Sequence, residues 1–248
     1  MNFTQRLRQN QLLVGSMLTI PSPEVAEMMS KCDLDWLFMD GEHSPLSILD
    51  WQRMIQAVAG RCACILRVPC SSEVDIKKAL DIGADGIIAP QVKSAEQARQ
   101  IVRWCKYPPA GERGVGLARA QGYGLEFSEY LASANDRLAV IVQVEHIDAV
   151  AKIDEIAAVE GLDAVFIGPY DLSASMNLTG EVEHPEVKAA IEKVRQACQS
   201  RKLALGYFGV SVESVQSSIA LGYRLICAGV DAAFVTRGAS EISQGLKR

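Results

Sequence analysis

The residues that could do chemistry gather at the ends of short apolar runs. "DWLFMDGEHSP" (35–45) ends in Asp40, Glu42 and His43, and "ACILRVP" (63–69) carries Arg67. "LAVIVQVE" (138–145) carries Gln143 and Glu145, and "DAVFIGPYDLS" (163–173) carries Gly168, Pro169 and Asp171. Burying an ionisable group is costly unless it is paired, so such run ends belong to a polar loop or to the rim of a site. Glu145 and Asp171, with no Cys or paired His beside them, suit a hard divalent cation such as Mg²⁺. Mn²⁺ or Co²⁺ could occupy the same oxygen donors. The competing assignment makes Glu145 a structural partner of Arg67 and Asp171 a helix cap. Arg67 cannot be neutralised and needs an anion. That anion is a bound carboxylate, a ketone oxygen, a developing enolate or Glu145. A histidine exchanges protons near neutral pH, and Asp40 or another acid could fix the tautomer of His43. His146 and His184 read as a loop start and a helix start.

The elements that must position these residues follow a single rhythm. Eight apolar runs (14–20, 35–40, 63–69, 86–90, 138–145, 163–169, 203–208 and 225–231) alternate with amphipathic segments. Continuous rather than alternating apolar runs fit strands buried on both faces of a parallel sheet. Several amphipathic segments open on Ser or Asp, and several close on Gly, as at Gly60, Gly83, Gly161 and Gly222. These are N-cap and C′ signals. Eight such units in 248 residues predict a (β/α)8 barrel, whose sites form at the C-terminal strand ends. An open doubly wound sheet is the main rival, but it usually has fewer strands, and no G-x-G-x-x-G follows the first run here. The whole span 1–248 reads as one domain, with "NFTQRLRQN" covering the barrel bottom. The segment "YPPAGERGVGLARAQGYGLEFSEYLASAND" (107–136), with Arg113 and Arg119, reads as a long binding loop on the strand-end side with a short helix near 126–134.

The bulk properties exclude several classes. The net charge of −5 comes from 25 basic and 30 acidic residues, without the basic patch a nucleic-acid partner demands. The seven cysteines are odd in number and none forms a C-x-x-C pair, so reduced thiols in a cytoplasmic protein are expected, and no zinc site. The first residues lack the apolar core of a signal peptide. No apolar run approaches the roughly 20 residues of a membrane span. No Lys stands at a predicted strand end, Lys93 lying in the loop beyond the fourth, which disfavours Schiff-base chemistry.

"FMDGEHSP", "ILRVP", "YPPAGERGVG", "VQVEHIDAV", "VFIGPYDLSASM" and "HPEVKAAI" together resemble the HpcH/HpaI family of class II, metal-dependent pyruvate aldolases, in order from about residue 12 to residue 240. The resemblance implies a (β/α)8 barrel assembled as a homo-oligomer, a hexamer, with the last helix exchanged between neighbours. It implies reversible cleavage of 4-hydroxy-2-oxoacids to pyruvate and an aldehyde. Glu145 and Asp171 would hold the divalent cation, Arg67 the ketone or enolate oxygen, and His43 the moving proton. Gln143 would contact the substrate, whose carboxylate would meet the backbone around Gly168, Pro169 and Asp171. Asp40 matches the acid of the "DGEH" motif. Asp81 matches an acid that reaches a neighbouring subunit's site. The chain departs from the family where Tyr170 replaces a small residue, and in "GVGLARAQGYG" and "GYFGVS", so the aldehyde is left open. Related enolate chemistry on acyl-CoA esters and a non-catalytic keto-acid-binding barrel are the alternatives.

Overall fold

The computed structural model describes residues 1–247. Eight strands form a closed parallel barrel in chain order: β1 Leu13–Leu18, β2 Trp36–Asp40, β3 Ala63–Arg67, β4 Gly86–Ala89, β5 Ala139–Val144, β6 Ala164–Ile167, β7 Ala204–Gly209 and β8 Leu225–Val230. The helices are α1 Phe3–Arg8, α2 Pro23–Ser30, α3 Ile48–Val58, α4 Glu73–Asp81, α5 Ala95–Cys105, α6 Phe127–Arg137, α7 Ile147–Ala151, α8 Ile153–Ile156, α9 Pro169–Ser175, α10 Pro185–Ser200, α11 Val212–Ala220 and α12 Asp231–Leu246. The (β/α)8 expectation holds. The amphipathic segment after β5 is two short helices, α7 and α8, rather than one. No helix among the described residues is long and apolar enough to cross a membrane.

Strand side chains alternate between the barrel interior and the helix layer. One cluster fills the space between strands and helices; the other fills the barrel. Inside, Trp36 stacks on Phe38, and Phe166 meets Phe38 edge-on at 5.6 Å between ring centres. Phe3 of α1 reaches Trp36 at 6.2 Å, so the N-terminal helix plugs the bottom as expected. Gly206 makes room for this stack, because a Cβ there would sit 2.2 Å from the Phe166 ring.

The bottom is also latched by a recurring acid. Asp35, Asp85 and Asp163 stand just before β2, β4 and β6. Each accepts the N–H of a residue at the start of the preceding strand, Val14, Cys64 and Val140 respectively, at 2.8 Å. Asp163 also receives the Arg8 guanidinium at 2.7 Å, tying α1 to the barrel.

The long segment predicted on the strand-end side lies at the opposite face. It follows α5 rather than β4, and a helix returning from the barrel mouth delivers the chain to the bottom, where β5 starts. Arg113 is buried there, with its Nη2 2.6 Å from Asp81 and its guanidinium over the Tyr107 ring at 4.6 Å. Arg119 donates to the Ile82 carbonyl. Both arginines fasten the segment to the end of α4.

Replacing Asp163 with Ala orphans the N–H of fully buried Val140. The expected loss is about 1–3 kcal/mol, read as a lower urea midpoint with unchanged slope.

Candidate active site

The polar residues of the mouth lie in phase with the apolar interior. On β2 the inward positions run Trp36, Phe38, Asp40, and on β3 Ala63, Ile65, Arg67. On β5 they run Ala139, Ile141, Gln143, and on β6 Ala164, Phe166, then Gly168 just beyond the strand. Two apolar layers therefore lead to one polar layer. The pairing register sets Asp40 beside Arg67 and Gln143 beside Phe166. A cavity of about 310 Å³ opens there and brings together Asp40, His43, Arg67, Gln143, Gly168, Pro169 and Asp171. Glu145 stands behind Gln143. A cavity of about 350 Å³ on the opposite face, by Arg119 and Arg137, holds none of these residues.

Arg67 is nearly buried, with a 7% exposed side chain. Its Nε donates to Asp40 Oδ1 at 2.8 Å, and its Nη1 lies 3.1 Å from Glu42 Oε2. The guanidinium sits over the Phe38 ring at 5.2 Å. Burial opposes its charge, but Asp40 and then the Glu42 and Glu145 charges outweigh burial and keep it protonated. Burial likewise pushes the Asp40 carboxyl up. The Arg67 hydrogen bond and charge, with two backbone N–H donors, win and hold it below the usual range.

This arrangement changes the expected division of labour in "DGEH". Asp40 does not orient the His43 ring. It accepts the backbone N–H groups of Glu42 and His43 and pairs with Arg67. Glu42 stands between Arg67 and His43, 3.8 Å from His43 Nε2. Its carboxyl is raised by burial, against the charges of Arg67 and His43. His43 is at the rim, with a 63% exposed side chain.

Glu145 is 1% exposed. Gln143 Nε2 donates to its Oε2, and the Gln91 N–H donates to Oε1 at 2.7 Å. Gln91 adopts φ 57°, a left-handed turn after β4 that aims this N–H inward. Burial lifts the Glu145 carboxyl to about 7, and Glu42 and Asp171 add to this against the Gln91 N–H and Arg67. Asp171 makes no capping hydrogen bond to α9, whose first residue is Pro169. The structural alternatives for this pair are therefore not realised: Arg67 pairs with Asp40 and Glu42, and α9 is uncapped. Gly168 is required by space, since a Cβ would lie 2.7 Å from both Gln143 Nε2 and Glu145 Oε2.

Asp81 does not join the cavity. It lies at the end of α4, paired with Arg113 on the far side of the barrel. Sequence reading passed over Asp231, whose buried carboxylate accepts the N–H and hydroxyl of Thr19 and the N–H groups of Ile20 and Ala232. Asp231 closes the "LICAGVD" run, so the same strand-end signal marks it. Thr19, Met17 and Phe208 on the cavity wall were also missed.

The family profile described as HpcH/HpaI aldolase/citrate lyase matches residues 16–237. The chain belongs to this family. It is 41% identical over 232 residues to a 2-keto-3-deoxy-L-rhamnonate aldolase of Escherichia coli O9:H4 (strain HS), covering 92% of this chain and 86% of the relative. A crystal structure of an HpcH/HpaI aldolase/citrate lyase family protein from Burkholderia cenocepacia J2315 superposes with a TM-score of 0.95 at 33% identity, covering 99% and 98% of the two chains. An HpcH/HpaI aldolase from Desulfitobacterium hafniense DCB-2 gives 0.92 at 29% identity, covering 100% and 97%. The quoted motifs of this HpcH/HpaI chain therefore lie in a barrel that matches family structures end to end.

A lowered folded-state pKa at Asp40 contributes stability above the unfolded value of about 3.9, lost as pH falls through the folded value. Asp40→Asn should lower the urea midpoint at pH 7 and lose less than the wild type between pH 5 and 3. Parallel losses in both proteins would contradict the pairing with Arg67.

Proposed function

We propose that this chain is a divalent-metal-dependent aldolase that cleaves 4-hydroxy-2-oxoacids reversibly into pyruvate and an aldehyde. The observation that carries this reading is the meeting of Arg67, Glu145 and Asp171 at one barrel mouth beside an exposed histidine. The donor set fits a divalent cation. Burial, with the Glu42 and Asp171 charges, raises the Glu145 carboxyl to about 7, a conflict that a cation relieves. Gln143 Oε1 is buried without a hydrogen-bond partner. Among the described residues no three His, Cys, Asp or Glu side chains form a closed metal cage. Two carboxylates with positions left for water and substrate match Mg²⁺, Mn²⁺ or Co²⁺. When bound, such a cation supplies Lewis-acid stabilisation of negative charge on the 2-oxo oxygen.

The chain's own residues account for the rest of the reaction. Arg67 presents a fixed positive charge where the enolate oxygen develops. Its pairing with Asp40 and Glu42 holds it in place. In cleavage, His43 takes the proton of the 4-hydroxyl, the C3–C4 electron pair moves into the pyruvate enolate, and the aldehyde leaves. A proton added at C3 balances the one removed and yields the pyruvate methyl group. Gln143 and the backbone at Gly168, Pro169 and Asp171 orient the 2-oxoacid. No Lys lines the cavity among the described residues, so its wall offers no amine for a Schiff base.

The assembly belongs to the same reading. Phe234, Val235, Ile242 and Leu246 of α12 are exposed, which supports exchange of this helix within a homo-hexamer. Asp81 would then serve a neighbouring subunit. Seven free cysteines support a reducing, cytoplasmic setting.

Aldol turnover should stop on complete chelation and return with added Mg²⁺, Mn²⁺ or Co²⁺; equal rates after metal removal would contradict the reading. Glu145→Gln and Asp171→Asn should each abolish cation-dependent turnover. Arg67→Ala should lower kcat at least about 10²-fold in protein shown to be folded by circular dichroism.

A further inference from the structure

The polar layer of the mouth is not continuous around the barrel. The inward positions of β2, β3 and β5 end in Asp40, Arg67 and Gln143, and Gly168 and Asp171 follow β6. Opposite them stand Phe208 from β7 and, from the β1 side, Met17, one layer lower beside Phe38, and Thr19, whose hydroxyl donates to Asp231. Tyr170 completes this apolar side at the rim and is 47% exposed. The cavity thus has one charged wall and one apolar wall.

The chemistry of a 4-hydroxy-2-oxoacid sets how it lies between them. Its carboxylate, ketone and hydroxyl need the charged wall, because the cation, Arg67 and His43 are there. The chain beyond C4, which leaves as the aldehyde, then runs along Met17 and Phe208. Arg67 is the one Lys or Arg on the cavity wall among the described residues, and Asp40 and Glu42 already pair with it. Met17 and Phe208 offer no cation on the opposite wall. A carboxylate at the far end of the aldehyde would be desolvated there without a partner, whereas an alkyl end gains by leaving water.

We propose that the aldehyde half of the substrate is uncharged and ends in an alkyl group seated between Met17, Phe208 and Tyr170, and that the cavity discriminates against aldehydes carrying a terminal carboxylate. This rests on the aldolase reading and names its substrate class.

The test compares two acceptors of similar shape in aldol addition to pyruvate with Mg²⁺ present. One is 4-methylpentanal; the other is succinic semialdehyde, with a carboxylate where the first has an isopropyl group. The wild type should favour 4-methylpentanal at least about tenfold in kcat/KM. Phe208→Arg should shift the ratio at least about tenfold toward the semialdehyde. Exchange of the pyruvate methyl protons with deuterated solvent, followed by NMR, reports enolate formation without any aldehyde. Exchange with equal or reversed acceptor preference in the wild type overturns the proposal and leaves the aldolase reading standing. Absence of exchange overturns both. Should Phe208→Arg fail to fold, the wild-type comparison alone decides.

Discussion

A guanidinium buried at the end of β3 is the constraint around which the mouth is organised. Arg67 cannot shed its proton, so its desolvation must be offset by anions at short range. Asp40 meets it from the adjacent strand, in register, and Glu42 meets it from the loop beyond. Asp40 is itself held by the backbone N–H groups of Glu42 and His43. The turn after β2 is therefore shaped by the need to keep one positive charge inside a barrel. His43 arrives at the rim as a consequence.

The same charge balance explains the other side of the cavity. Asp40, Glu42, Glu145 and Asp171 outnumber Arg67. Glu145, as buried as Asp40 but without a guanidinium hydrogen bond, is raised to about 7 by burial and then by the Glu42 and Asp171 charges. A site with excess carboxylate, one committed guanidinium and an unpartnered Gln143 Oε1 is arranged for a cation and a substrate together. Gly168 belongs to this arrangement through its size, because any side chain there would displace Gln143 or Glu145.

The barrel was legible because each strand is a continuous apolar run and several helices open on their own Ser cap. Strand-end chemistry was legible because Asp40, Arg67, Gln143 and Asp171 interrupt that pattern with charge or polarity. Partner assignment was not. Asp40 turns away from the His43 ring because Arg67, twenty-seven residues later, lies beside it across the sheet. The long segment at 107–136 was placed on the wrong face because its glycines and arginines resemble a binding loop. Its position after a helix rather than a strand decides the matter. The apolar wall escaped notice because Met17 and Phe208 look like ordinary core residues until the inward phase of β1 and β7 is known. The assembly, and with it the role of Asp81, depends on contacts between copies rather than on the pattern of one chain.

The central claim is that Glu145 and Asp171 together hold one divalent cation. Calorimetric titration of Mn²⁺ into chelator-treated protein, followed in parallel by electron paramagnetic resonance of the free ion, addresses it without relying on turnover. One Mn²⁺ per chain in the wild type, and loss of that binding in both Glu145→Gln and Asp171→Asn, is the predicted result. Undiminished Mn²⁺ binding in either folded variant would contradict it.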